Sequence, residues 1–165
     1  MKQWWSKLGR KKQIILGVAG TVVTATLLIN AGCGNSDGSQ GEEINGMTPA
    51  DAVRKFKLAE IQKDGKTIKE IATPEEAKAE ETLFPLDQGP QNNTPIPDDY
   101  RLTEYEVDED TYYYKHFRPR TGGVSSSYYK VIRTDEGWKV DQIDVNEFKV
   151  ATEGLDSYPI KEDEE

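Results

Sequence analysis

The sequence predicts an α+β domain in which N-terminal helices pack on a curved antiparallel four-stranded meander, preceded by an export segment. Three observations predict it. Helix-start signals and 3.6-residue apolar spacing occupy residues 48–84. From Tyr100 onward the period changes to two, in four runs rich in aromatic and β-branched residues. Ahead of both, an apolar run at residues 14–29 follows five basic residues with no acidic one among them.

The export segment comes first. Lys2, Lys7, Arg10, Lys11 and Lys12 precede the apolar run, and Gly34-Asn35-Ser36-Asp37-Gly38-Ser39 ends it. The run is longer than an ordinary signal-peptide core and a little short of the roughly 20 residues that span a bilayer. Ala31-Gly32 leads into Cys33, the only thiol in the chain. This arrangement resembles the lipobox of bacterial lipoproteins, although Asn30 stands where that family prefers an apolar residue. The resemblance implies that Cys33 is lipidated, with palmitate among its acyl groups, and becomes the first residue after cleavage. Residues 1–33 are then a signal peptide, or, in the alternative, an uncleaved signal anchor ending at Cys33. Both give one topology by the positive-inside rule: the basic flank stays in the cytoplasm and the chain after Cys33 lies on the extracytoplasmic face of the cell membrane.

Charge follows the same division. Residues 34–165 carry 16 basic and 30 acidic side chains, a net charge of −14. So acidic a module repels nucleic acid, and no nucleic-acid partner is expected. With no cysteine after Cys33, no internal disulfide supports the fold. Residues 34–47 are Gly, Ser, Asn, Gln and acidic residues with little to bury, and read as a flexible tether. Residues 48–160 are expected to form a single domain, and residues 161–165 a solvated acidic tail.

Thr48-Pro49-Ala50-Asp51 announces the first helix, with Ala52, Val53, Phe56 and Ala59 on one stripe that Leu58 and Ile61 widen. A short second helix is expected over residues 67–72. Thr73-Pro74-Glu75-Glu76 repeats the start signal and opens a third, through Leu83 or Phe84. Pro85, Pro90, Pro95 and Pro97 make residues 85–99 a long irregular connection. Strands are expected at 101–107, 111–118, 124–133 and 138–145, with connections short enough for hairpins. Leu102 falls on the opposite face from Tyr105 and Val107, which predicts a bulge or an edge position for the first strand. Residues 147–160 read as a less regular tail.

The order of elements, together with Tyr128-Tyr129-Lys130-Val131-Ile132-Arg133-Thr134-Asp135-Glu136-Gly137-Trp138-Lys139-Val140, resembles the cone-shaped superfamily of nuclear transport factor two and ketosteroid isomerase. The likeness covers residues 48–146 and includes the small bacterial, Gram-positive lipoproteins of that superfamily. It implies a cone-shaped fold and no particular catalytic residues, because this fold hosts enzymes and adaptors alike.

Seven of the eight tyrosines lie between Tyr100 and Tyr129. By alternation Tyr112, Tyr114, His116 and Arg118 share one strand face, and Tyr113, Lys115 and Phe117 the other. His116 is the sole histidine; no second histidine or cysteine is at hand for a transition metal, and there is no Gly-rich phosphate loop and no G-x-S-x-G nucleophile motif. The acidic runs at Asp98-Asp99, Asp108-Glu109-Asp110 and residues 162–165 lack the spacing of a calcium loop. No catalytic residue, metal or cofactor is therefore expected. Tyr112, Tyr114, His116, Tyr128 and Tyr129 are the candidate binding face of a non-catalytic module that takes an extracytoplasmic protein partner. Likeness to cone-fold domains of conjugation machinery implies an accessory or exclusion component of a cell-surface transfer or secretion system. The alternative is a small-molecule-binding protein or enzyme that uses the cone cavity with His116 as acid or base and a carboxylate such as Asp141 as its partner.

Overall fold

The computed structural model describes residues 41–120 and 123–160, all within the compact unit Asn35–Glu165. The signal segment, Cys33, the start of the tether and the acidic tail lie outside the described residues. Helix α1 (Pro49–Gln62) begins at a reciprocal capping box: the Thr48 hydroxyl accepts from the Asp51 N–H at 3.2 Å, and the Asp51 carboxylate accepts from the Thr48 N–H at 2.9 Å. It ends on Lys63, which takes the left-handed conformation at φ 54° that glycine more often supplies. Asp64 caps α2 (Gly65–Ile71) and Thr73 caps α3 (Pro74–Glu80). Helix α3 stops short of Leu83, which is 71% exposed and has nothing to pack on.

Four strands follow as a meander: β1 (Arg101–Asp108), β2 (Thr111–Arg120), β3 (Gly123–Thr134) and β4 (Gly137–Ile143). Gly137, at φ 113°, makes the turn into β4 that a side chain would strain. The register of β1 on β2 shifts between Glu106 and Asp108, a bulge that lies beyond Tyr105; the imperfect alternation has another cause, since Leu102 and Tyr105 belong to apolar clusters on opposite faces of the sheet.

The tail is more regular than its composition suggests. Residues 147–160 contribute to α4 (Val145–Ala151) and to a fifth strand, β5 (Tyr158–Ile160), which pairs antiparallel with Leu102, Thr103 and Glu104 of β1. The sheet is thus five-stranded in the order β4-β3-β2-β1-β5, all antiparallel, rather than four-stranded. Each added element is too short to show a period: α4 has seven residues and buries Phe148, and β5 has three with Pro159 at its centre.

Two apolar clusters lie on opposite faces of the sheet. Val53, Phe56, Ile68 and Ile71 join Leu102, Tyr112, Tyr114, Tyr129, Val131, Trp138 and Val140 in the larger one. The smaller one gathers Tyr113, Ile143 and Phe148, with Tyr105, Tyr128 and Ala151 half-buried against it. The last part of the stretch read as a tether, residues 41–47, lies against the domain. The Trp138 indole N–H donates to the Glu42 carbonyl at 3.0 Å, Arg133 pairs with the Glu42 carboxylate at 2.9 Å, and Ile44 and Met47 pack against the core. What fastens residues 41–47 is mainly backbone and charge, which a reading of apolar content does not register.

Trp138 is 1% exposed and meets Tyr112 edge-on, ring centroids 5.5 Å apart. Trp138→Ala should therefore cost about 3 to 5 kcal/mol in urea unfolding, the range for truncating a buried aromatic residue. An unchanged midpoint would remove the indole from the core.

Candidate functional site

Strand β2 positions the residues that the sequence singles out. Its alternation sends Tyr112, Tyr114 and His116 toward the helices, where Tyr129 joins them from β3, and all four are buried. Glu104, fully buried on β1, lies directly opposite Tyr114 and accepts a hydrogen bond from its hydroxyl. The Tyr129 hydroxyl donates to Glu60 of α1 at 3.2 Å, and Lys57 holds the same carboxylate oxygen at 3.2 Å. Phe56 of α1 meets the Tyr129 ring edge-on at 5.8 Å. Burial pushes the Tyr112 hydroxyl up to about 12, and nearby Glu106 and Glu104 add to the shift. Burial first, and then Glu60, keep the Tyr129 hydroxyl well above its ordinary range.

His116 is 3% exposed and stacks flat on Tyr100, ring centroids 4.2 Å apart. Tyr100 is held in turn by Arg118, whose guanidinium sits 5.5 Å from its ring and pairs with Asp99 at 2.7 Å. Among the described residues the His116 Nδ1 finds no hydrogen-bond partner. Burial, with Lys57 and Arg54 acting in the same direction, pushes the imidazole down to about 4, so it is neutral at physiological pH.

The expected binding face of Tyr112, Tyr114, His116, Tyr128 and Tyr129 is therefore not one open surface. Tyr112, Tyr114, His116 and Tyr129 occupy the alternate positions that the helices need for their own burial, while Tyr128 points to the other face and meets Phe148 at 4.6 Å. Asp141 does not face His116: its carboxylate accepts from the Thr73 hydroxyl at 3.1 Å beside β4. Cys33 lies outside the described residues.

Sequence reasoning missed a second buried acidic group. Glu76 of α3 is 8% exposed and accepts a hydrogen bond from the Gln142 backbone N–H, while Thr73 N–H donates to the Val140 carbonyl at 2.9 Å. Burial raises the Glu76 carboxyl to about 7 against the help of that N–H, and Glu80, Asp141 and Glu60 push it the same way. Glu80 is raised by burial and by Glu60. No apolar period marks these two glutamates, and their burial follows from where α3 meets β4.

The outer sheet face is the more accessible one. Lys115 stands opposite Tyr128, Tyr113 opposite Lys130, and Arg101 opposite Phe117, so cations and rings alternate across three strands. Helix α4 covers part of it through Phe148, which meets Tyr105 edge-on at 5.3 Å. Lys115 lies over the Phe117 ring at 5.5 Å. Elsewhere an open groove of about 610 Å³ runs between residues 45–47, α1, α2 and β4, lined by Lys55, Lys69, Glu70, Trp138 and Lys139 among others. Its lysines and acids balance, with Lys55 on Glu70 at 3.1 Å and Lys139 on Glu136 at 2.9 Å.

Among the described residues no group of three or more histidine, cysteine or acidic side chains is placed to hold a metal ion, and no helix is long and apolar enough to cross a membrane. No protein-family model, no curated protein and no solved structure matches the chain.

The two displaced titrations oppose each other. The lowered His116 pKa contributes stability that is complete above pH 6.5 and lost as the pH falls through about 4. The raised Glu76 pKa contributes stability that is complete below pH 4.5 and lost as the pH rises through about 7. Thermal midpoints should show this in two variants. Relative to wild type, His116→Gln should gain stability at pH 4.5 over pH 7.5, whereas Glu76→Gln should gain at pH 8 over pH 5. Parallel pH profiles for all three proteins would contradict the assignment.

Proposed function

We propose that the chain is a membrane-tethered extracytoplasmic lipoprotein, anchored through lipid on Cys33, that works as a non-catalytic protein-binding module. In this reading the domain is a member of the cone-fold superfamily, with its N-terminal helices on a curved sheet. Its role is an accessory or exclusion component of a cell-surface transfer or secretion system.

The observation that carries the binding role is the outer sheet face, where half-buried Phe117, Tyr128 and Tyr105 share a surface with Lys115 and Lys130. Aromatic rings with polar or cationic neighbours favour contact with another protein, since they bring large area at low entropy cost. The helix-facing side supports a packing role in its place, because Tyr112, Tyr114 and Tyr129 fill the space between α1 and the sheet. A small-molecule site on that side is the second reading. It draws on the buried Tyr114–Glu104 pair and on the His116 Nδ1 without a partner among the described residues.

Two experiments test the proposal. A photo-crosslinking amino acid at Phe117 should give a discrete adduct on intact cells, while the same group at exposed Leu83 should not. Adducts at neither position, or equally at both, would defeat the outer face as the binding surface. Clickable fatty acid should label the wild type and not Cys33→Ala. Full-length, unlabelled protein in the membrane for both would establish a signal anchor instead.

A further inference from the structure

We infer that Asn45 is a site of spontaneous covalent modification, where the Asn45-Gly46 turn converts to aspartate and isoaspartate and releases residues 41–47 from the domain. Asn45 and Gly46 are the tip of a two-residue turn, both left-handed at φ 54° and 77°. It is closed by the Ile44 N–H on the Met47 carbonyl at 2.9 Å and the Met47 N–H on the Ile44 carbonyl at 3.1 Å. Both tip residues are exposed. Among the described residues nothing accepts the Gly46 N–H, and nothing lies within 4 Å of the place a Gly46 Cβ would take. The nitrogen that must attack the side chain therefore has neither a partner nor a shield.

The other described asparagines lack this combination. The Thr94 N–H, which follows Asn93, donates to the Asn92 side chain at 2.9 Å. The Glu147 N–H, which follows Asn146, donates to Asp144 at 3.2 Å within the first turn of α4. Asn92 is held at both ends of its amide, since its Nδ2 also donates to the Ile61 carbonyl at 3.2 Å. By contrast the Asn45 Nδ2 lies 3.5 Å from the Glu136 carbonyl, at the limit of a hydrogen bond.

The step needs no co-reactant but water. The Gly46 nitrogen gives up its proton and bonds to the Asn45 Cγ; the Cγ–Nδ2 bond breaks, and the amino group leaves with that proton as ammonia. Water then opens the cyclic imide. Opening at the Asn45 backbone carbonyl carries the chain on through Cγ as isoaspartate, and opening at Cγ leaves aspartate. Nothing is oxidised or reduced. Attack requires Asn45 to rotate out of the turn against the two Ile44–Met47 bonds, so local opening of the turn sets the rate.

Either product puts a carboxylate where the Asn45 amide faced the Glu136 carbonyl, so a weak attraction becomes a repulsion. Isoaspartate also lengthens the main chain by one carbon, which takes Ile44 and Met47 out of register. Both then lose their packing against the core, and Glu42 its hold on Trp138 and Arg133.

The test incubates the full chain in detergent micelles, folded and in urea. Each asparagine is mapped by proteolysis and mass spectrometry, and isoaspartate by isoaspartyl methyltransferase labelling. In the folded chain Asn45 should convert severalfold faster than Asn92, Asn93 or Asn146, and faster at pH 8 than at pH 6, because the attacking nitrogen must lose its proton. Asn45→Gly, which suits a left-handed turn, should abolish the signal there. In the converted fraction the Ile44 and Met47 amides should lose protection from hydrogen exchange. Conversion at Asn45 no faster than at the other three, or seen in urea alone, overturns the site. Full conversion with unchanged exchange at Ile44 and Met47 overturns the release.

Discussion

Strand β2 is hydrogen-bonded on both sides along most of its length, to β1 from Thr111 to Phe117 and to β3 from Thr111 to Arg120. That double pairing fixes its register, and a one-residue slip would exchange its two faces. Tyr112, Tyr114 and His116 would then face outward, and Tyr113, Lys115 and Phe117 would be driven under α1. Burying the Lys115 ammonium there without a partner would be costly, while Tyr114 would lose Glu104. The register of this strand therefore decides both what the core is made of and what the domain presents to its surroundings.

The helix-facing core depends on tyrosines where leucine or valine would pack without polar tips. Each tip needs a partner, because a buried hydroxyl left alone costs more than its hydrogen bond returns. Tyr114 is served from the neighbouring strand and Tyr129 from α1. The second bond spans 69 residues of sequence, so it ties the first helix to the third strand and specifies their relative position as an apolar contact would not. His116 is accommodated by staying neutral under Tyr100, which makes the end of the proline-rich connection part of the core wall.

Much of the architecture was legible in the sequence because its signals are local. The two Thr-Pro starts mark α1 and α3, and the period change at Tyr100 marks the meander to within a few residues. Elements of three and seven residues carry no such period, which is why β5 and α4 do not stand out. The candidate site was legible only as a division of faces. Alternation separates Tyr112, Tyr114 and His116 from Tyr113, Lys115 and Phe117, but it does not say which set the helices cover. Tyrosine is compatible with either side, so the decision belongs to tertiary packing. The buried position of Glu76 and the fastening of Glu42 to Trp138 likewise come from long-range contacts that no window of sequence contains.

The position of Glu76 has a consequence for how copies of the domain behave together. An exposed sheet flank is a template on which another chain can add a strand. On the β4 flank, the Val140 carbonyl is taken by Thr73 and the Gln142 N–H by Glu76. The opposite flank ends in a strand of three residues whose middle one, Pro159, has no N–H to offer. Crowded copies would find these rungs already closed to a continuous ladder between domains.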